Sequence, residues 1–150
     1  NKFFLTAAFA FLLFNVFGCS SGALPADQIC LGSRCVTVEV VQKPDEMQKG
    51  LQNRASMPKD HGMLFVFSDN GRHVFWMKDT LIPLDMIWLD YAKQIVHIEE
   101  NVPPCTADPC PVYGPPGNVQ SSHVLEINAG ESRSWGIKTG DTLEFRLNSF

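Results

Sequence analysis

Apolar and polar residues alternate over several short segments between residues 36 and 147. A period of two is typical of β-strands with one buried face, and β-branched residues favour the same structure. Segment 62–67 is apolar without a break, so we expect both of its faces to be covered. The pattern predicts seven strands, at residues 36–41, 62–67, 73–77, 84–90, 94–99, 123–128 and 142–147.

One short helix is predicted at residues 44–49. Pro44 suits the first helical turn, acidic residues follow it, and Gly50 ends the segment. An Asn-Gly turn at 68–71 predicts a hairpin between the strands on either side of it. These elements predict a mostly β (α+β) domain, a small antiparallel barrel or sandwich with one or two short helices.

The N-terminal residues follow a different pattern. Lys2 precedes an apolar run, and six of the eleven Phe lie within residues 1–17. This run is shorter than the roughly 20 apolar residues of a membrane-spanning helix. Residues 16–19 resemble the lipobox of bacterial lipoproteins, whose Cys becomes the lipidated first residue. We therefore expect residues 1–18 to be a signal peptide and Cys19 to carry lipid; the alternatives are a plain signal peptide or a short membrane anchor.

The predicted lipidation implies an exported protein of the periplasm or cell envelope, with the membrane as a partner through its lipid anchor. Ser20 follows the Cys, where the inner-membrane retention signal is usually an Asp, so the outer membrane is favoured if the cell has one. We expect residues 19–35 to form a lipidated tether with a cysteine loop, and residues 36–150 to form the β domain.

Four cysteines remain after Cys19, in two pairs that each have four residues between their members. Four cysteines allow three connectivities, and the two local loops close at the smallest entropic cost. An exported location permits disulfides, whereas a soft-metal site is the alternative. We expect disulfides at Cys30–Cys35 and Cys105–Cys110.

Composition narrows the class of partner. The chain is 45% hydrophobic and 19% charged, which is typical of a globular domain. Twelve Lys and Arg stand against sixteen Asp and Glu, giving a net charge of −4 with no basic stripe. This balance argues against nucleic acid as a partner, because phosphate binding needs clustered cations.

Neither a catalytic template nor a metal-binding motif is present in the sequence. The histidines are scattered singly, and three methionines lie inside apolar strands, where Met usually fills the core. We therefore assign no catalytic residue, no metal and no cofactor. The residues considered as metal ligands are His61, His73, His97, His123, Met63, Met77 and Met86.

The densest group of polar residues lies between Trp76 and Asp85, where one predicted strand ends and the next begins. Lys78 and Asp85 could face each other across this connection and bind a polar ligand such as a sugar or a small zwitterion. Alternatively, a turn is capped locally and the two charges form a surface ion pair. The candidate ligand-binding residues are Arg54, Trp76, Lys78, Asp79, Thr80 and Asp85.

Four segments in order, at 49–54, 61–67, 75–80 and 82–85, resemble the prokaryotic domain-of-unknown-function family 192. The family pattern contains Gly-Leu-Met-x-Arg, Gly-Met-Leu-Phe, Phe-Trp-Met-Lys-Asn-Thr and Ile-Pro-Leu-Asp. Two residues depart from it: Gln52 stands where Met is usual, and Asp79 where Asn is usual. The resemblance implies a small β-barrel-like domain but no reaction or ligand.

Three function classes follow from the sequence. The favoured one is a non-catalytic envelope module that binds a small polar ligand or an envelope protein. The second is a hydrolytic enzyme of unrecognised type that uses Asp79 or Asp85 with Lys78. The third is a purely structural envelope protein.

Overall fold

The computed structural model describes residues 25–148. Cys19, the predicted signal peptide and the first part of the predicted tether lie outside the described residues. The described chain forms nine strands and two short helices. In chain order these are β1 (Gln28–Leu31), β2 (Arg34–Val41), α1 (Pro44–Lys49), β3 (His61–Gly71), β4 (Phe75–Trp76), β5 (Leu84–Leu89), β6 (Ile95–Val102), β7 (Val112–Tyr113), β8 (Ser121–Asn128), α2 (Glu131–Trp135) and β9 (Glu144–Arg146).

Seven strands form one sheet in the order β6-β5-β8-β3-β2-β1-β9, which curls into a half-barrel. In this sheet the pair β2–β3 is parallel, and all other neighbouring strands are antiparallel. The helix α1 lies in the crossover between β2 and β3. β4 and β7 form a separate two-stranded ribbon. The predicted β-rich α+β class is confirmed.

Both faces of the central strands are buried, because apolar residues pack on each side of the sheet. Along β8, Leu125 and Ile127 belong to one cluster and Val124 to the other. Along β3, Leu64 belongs to the first cluster and Met63 to the second. The uninterrupted apolar run at residues 62–67 of β3 and the run at 86–89 of β5 follow from this two-sided burial.

The predicted hairpin after β3 is wrong. β3 continues through the Asn-Gly sequence to Gly71, where it pairs with Ser121 of β8 after a shift in register. β4 therefore pairs with β7 and not with β3. The turn propensity of this segment is overridden because β8 pairs with β3 on both sides of it, at residues 62–66 and again at Gly71.

The structure also places three elements that the pattern did not predict. β1 pairs with both β2 and β9, so residues 28–31, which the sequence analysis assigned to the tether, are part of the sheet. β7 has two residues and α2 has five. Segments this short contain too few residues for a period to be recognised.

Both predicted disulfides are confirmed. Cys30 and Cys35 face each other across the β1–β2 hairpin, and Cys105–Cys110 closes the loop between β6 and β7. Pairing within each short loop excludes the alternative of a soft-metal site at these cysteines. Between residues 25 and 148, no helix is long and apolar enough to cross a membrane.

Candidate ligand-binding cleft

A cleft of about 460 Å³ opens between α1 and the strands β3 and β4. This volume lies in the range of small-molecule sites, which are mostly apolar with a few polar groups. The apolar wall comes from three segments: α1 with the residues that follow it, β3, and β4. Its main side chains are Met47, Leu51, Phe65, Phe67, Phe75 and Trp76.

The aromatic side chains of this wall hold one another in place. The rings of Phe65 and Phe75 meet edge to face at 4.9 Å between centroids. The ring of Phe67 stacks on the imidazole of His73 at 3.5 Å. Trp76 lies at the mouth with 51% of its surface exposed. Interlocked rings have few alternative rotamers, so the cleft is preformed.

Glu126 lies in the interior of the cleft. It belongs to β8, between Met63 of β3 and Met86 of β5, and faces the same side of the sheet as Val124. Only 4% of its surface is exposed. Within residues 25–148 its carboxyl has no hydrogen-bond or ion-pair partner. A Cβ atom at Gly62 would lie 2.6 Å from the backbone oxygen of Glu126, so glycine permits the close approach of β3 and β8 here.

Burial raises the pKa of Glu126 to about 8. A carboxyl in an apolar environment favours its neutral form, since the charged form loses its hydration. At pH 7 the carboxyl is therefore mainly protonated. Strongly perturbed acids in clefts are frequent at functional sites. Glu126 is not among the residues selected from the sequence. Its position as an acidic residue inside an apolar strand was a feature by which it could have been identified.

Asp85 does not belong to the cleft. It is fully buried, and its Oδ1 accepts hydrogen bonds from the backbone N–H groups of Asn101 (2.8 Å) and Gly130 (3.0 Å). Its Oδ2 accepts hydrogen bonds from the backbone N–H (2.9 Å) and the Oγ (2.6 Å) of Ser132. Asp85 thus fixes the start of α2 and the end of β6, which is a structural role.

Lys78 and Asp85 do not face each other, and this prediction is wrong. Lys78 pairs with Asp108 of the disulfide loop at 3.5 Å, and its Nζ lies 5.8 Å from the centre of the Trp76 ring. An exposed pair of this kind contributes about 0–1 kcal/mol. Lys78, Asp79 and Trp76 line a shallow depression beside the cleft.

Arg54 is also separated from the cleft. Its guanidinium forms a bidentate pair with the carboxylate of Glu39 on β2, and this hydrogen bonding lowers the pKa of Glu39. Of the six candidate residues, the structure brings Trp76 and Thr80 into the cleft. Of the two acids predicted to act with Lys78, Asp79 lines the same depression as Lys78, whereas Asp85 is buried elsewhere.

Metal-binding groups are also dispersed. Within the part of the chain that the structure describes, no three His, Cys, Asp or Glu side chains form a group that could hold a metal ion. The cleft contains one acidic group, Glu126, together with Lys49, Arg72 and His73 near its opening. This arrangement can bind a ligand through hydrogen bonds and charge, and it has no paired carboxylates.

The profile of the family described as "Uncharacterized ACR", the domain of unknown function 192 (DUF192), matches residues 28–145. The chain belongs to the DUF192 family. No curated protein is similar enough in sequence to this chain to count as a match.

Two solved structures with the same fold are similar to this DUF192 domain. A protein from Sinorhizobium meliloti 1021, described as a candidate transcription regulator, is 34% identical, with a TM-score of 0.69 over 79% of this chain and 91% of that chain. A protein of unknown function from Novosphingobium aromaticivorans DSM 12444 is 29% identical, with a TM-score of 0.69 over 79% and 82%.

The two departures from the DUF192 pattern lie close to the cleft. Gln52 lines it and donates a hydrogen bond to the backbone oxygen of Gln48, so a polar group stands where Met is usual. Asp79 has a φ of 56°, in the left-handed region that Asn adopts more readily than most residues. Its carbonyl oxygen accepts a hydrogen bond from the backbone N–H of Asn53, which joins the two segments.

Proposed function

We propose that this DUF192 protein is a non-catalytic binding module of the cell envelope, and that its ligand is a small molecule bound in the cleft between α1, β3 and β4. One observation carries this proposal: the side chain of Glu126, which is only 4% exposed and whose carboxyl has no partner among residues 25–148, lines a preformed aromatic cleft. A buried polar group without a hydrogen bond is costly, and a ligand that supplies one would recover this cost.

The fit between ligand and cleft is specific in two respects. The walls formed by Phe65, Phe75 and Leu51 favour an apolar body on the ligand. Glu126 and Thr80, both buried and both lining the cleft, offer hydrogen bonds to a polar group. The ligand is therefore amphipathic, with a polar group that enters first.

The Sinorhizobium relative is described as a candidate transcription regulator. We do not infer nucleic-acid binding by this chain from that description. The net charge of the chain is −4. Many cationic side chains of the described residues are paired with acids. Arg54 is paired with Glu39, and Arg133 with Glu100 at 2.6 Å. Paired cations are poor ligands for phosphate, so we propose no nucleic-acid partner.

A tryptophan at Gln48 tests the proposed cleft. Gln48 is exposed on α1 and lines the cleft, so Gln48→Trp fills the opening without changing the core. In thermal-shift screening of the full chain with amino acids, cell-wall sugars and small amines, we expect a bound compound to raise the melting temperature. We expect Gln48→Trp to abolish that increase.

The matched control is Gln42→Trp, an exposed position that does not line the cleft. It should retain the shift of the unmodified chain. A compound that still stabilises Gln48→Trp fully binds elsewhere, and this result would contradict the proposed site.

We also propose that Cys19 anchors the module to the membrane through lipid, which supports function close to the envelope. One acyl chain gives marginal binding, whereas several give stable anchoring. We expect Cys19→Ser to move the protein from the membrane fraction to the soluble fraction and to abolish its labelling with radioactive palmitate. A Cys19→Ser protein that is still labelled would exclude this anchor.

A further inference from the structure

We propose that the ligand of this cleft carries a protonated amine on an apolar body, and that the amine forms an ion pair with the carboxyl of Glu126. This inference rests on the proposed function, because it names the chemical class that the same cleft would take. The geometry that supports it is the position of Glu126, which lines the cleft while 96% of its surface is buried and no described residue pairs with it.

An amine satisfies this carboxyl better than a neutral group does. Its N–H groups can donate to both carboxylate oxygens, and the charge of the pair is balanced in an environment where an isolated charge is costly. A neutral hydroxyl would donate a single, weaker hydrogen bond. The inner end of the cleft therefore selects for positive charge.

The aromatic wall favours the same class of ligand. A cation within about 6 Å of an aromatic ring face is attracted by the ring electrons. The Trp76 ring already has a cation at this distance, since the Nζ of Lys78 lies 5.8 Å from its centre. Phe65, Phe67 and Phe75 line the cleft farther from the opening.

The charged groups around the cleft restrict the ligand to one amine. Lys49 of α1 and Arg72 before β4 are exposed, and the guanidinium Nε of Arg72 donates to the carbonyl of Pro115 at 3.1 Å. His73 lies beside Phe67, with its Nε2 3.8 Å from Asp69. Two cations at the opening disfavour a second amine there and accommodate a neutral or anionic outer end.

Binding of an amine should release a proton from Glu126. Burial raises the pKa of this carboxyl to about 8, so it is mainly protonated at pH 7 before an amine binds. An ammonium group beside it favours the carboxylate, and the displaced proton goes to the buffer. We expect a net release of up to one proton for each amine bound at pH 7.

Isothermal titration calorimetry of the full chain tests the inference with three probes of similar shape: 2-phenylethylamine, 2-phenylethanol and 3-phenylpropionate. We expect the amine to bind at least tenfold more tightly than the alcohol, and the anion to bind most weakly. Titrations at pH 7 in phosphate and in MOPS, whose heats of ionisation differ and neither of which is a primary amine, measure the released proton.

Glu126→Gln keeps the shape of the side chain and removes its charge. We expect it to bind 2-phenylethylamine at least tenfold more weakly and to release no proton. The matched control is Glu144→Gln, an exposed position on β9, which should retain both the affinity and the proton release. A thermal melt of each variant establishes that it is folded.

The outcomes separate this inference from the proposed function. If the alcohol binds as tightly as the amine and Gln48→Trp weakens both, the cleft binds ligands but the amine class is wrong. If Glu126→Gln retains the affinity for the amine, the inference is overturned. If none of the three probes binds while a compound without an amine shows binding that Gln48→Trp abolishes, the amine class is likewise excluded and the cleft stands.

Discussion

Replacing Asp85 with Asn is expected to lower the free energy of unfolding by about 3 kcal/mol or more. Asp85 has two carboxylate oxygens that accept four hydrogen bonds, all from groups near the end of β6 and the start of α2. In Asn, an NH₂ group replaces one of these oxygens. This group is a donor, so it cannot accept hydrogen bonds from the N–H and O–H groups that face it. The partners left without an acceptor are buried, so water cannot replace the lost bonds.

Urea unfolding of the full chain measures this loss, and amide hydrogen exchange localises it. We expect the N–H groups of Gly130 and Ser132 to exchange faster in Asp85→Asn, because both donate to the carboxylate. Faster exchange confined to distant strands would contradict the assigned role.

Asp79→Asn is the matched control for this substitution. It makes the same chemical change at an exposed position, and it introduces the residue that is usual in the family pattern. The φ of 56° at this position suits Asn. We expect the free energy of unfolding to change by at most about 0.5 kcal/mol. If Asp85→Asn loses less than about 1 kcal/mol, the buried acceptor is not essential to the fold.

The elements that the sequence predicted well have a clear period. α1 begins at a proline and ends before a glycine, and its observed bounds are the predicted ones. β2 comes close to alternation, and β5 and β8 are mainly apolar around one acidic residue each, so their presence followed from the pattern. Local chemistry determined these segments, and tertiary packing did not change them.

Pairing between distant strands was not predictable in the same way. The Asn-Gly sequence at the end of β3 favours a turn locally, yet β8 pairs with β3 up to Gly71. β4 then finds its partner in β7, which follows the disulfide loop. These choices depend on which strand is available in space, and the periodicity of a single segment contains no information about that.

The two buried carboxylates show the same limit for the candidate site. Asp85 and Glu126 each lie in a strand that is otherwise mainly apolar. The sequence indicated that buried carboxyls at these positions need hydrogen-bond donors. It did not indicate which of the two has them. Asp85 meets four donors from the chain, whereas Glu126 meets none from the described residues and lines the cleft instead. The sequence therefore placed Asp85 among the candidate ligand-binding residues and left out Glu126, the carboxyl that lines the cleft.

Replacing Glu126 with Gln is expected to stabilise the protein at alkaline pH relative to the unmodified chain. The pKa of this carboxyl is about 8 in the folded state, against an ordinary value of 4.5. Because the folded-state pKa is the higher one, the folded state binds more protons between these values. The contribution of this group to stability is therefore complete below pH 4.5 and is lost as the pH rises to about 8.

The loss is about 1.4 kcal/mol for each pH unit, or on the order of 4 to 5 kcal/mol across the whole interval. Gln does not titrate, so Glu126→Gln lacks this loss, while all other groups titrate equally in both proteins. We expect the difference in unfolding free energy between the variant and the unmodified chain to rise by a few kcal/mol from pH 5 to pH 9. Urea unfolding at intervals of one pH unit measures it.

Glu39→Gln gives a control of opposite sign. The hydrogen bonds from Arg54 lower the pKa of Glu39, so its contribution to stability is present above pH 4.5 and is lost as the pH falls through its folded-state pKa. Glu39→Gln should therefore lose stability relative to the unmodified chain as the pH rises from acid, whereas Glu126→Gln should gain it. If the stability of the two variants depends on pH in the same way, the carboxyl of Glu126 is not an unpaired buried acid. Another group must then pair with it in solution. A flat difference for Glu126→Gln between pH 5 and pH 9 would exclude the raised pKa on which the expected proton release depends.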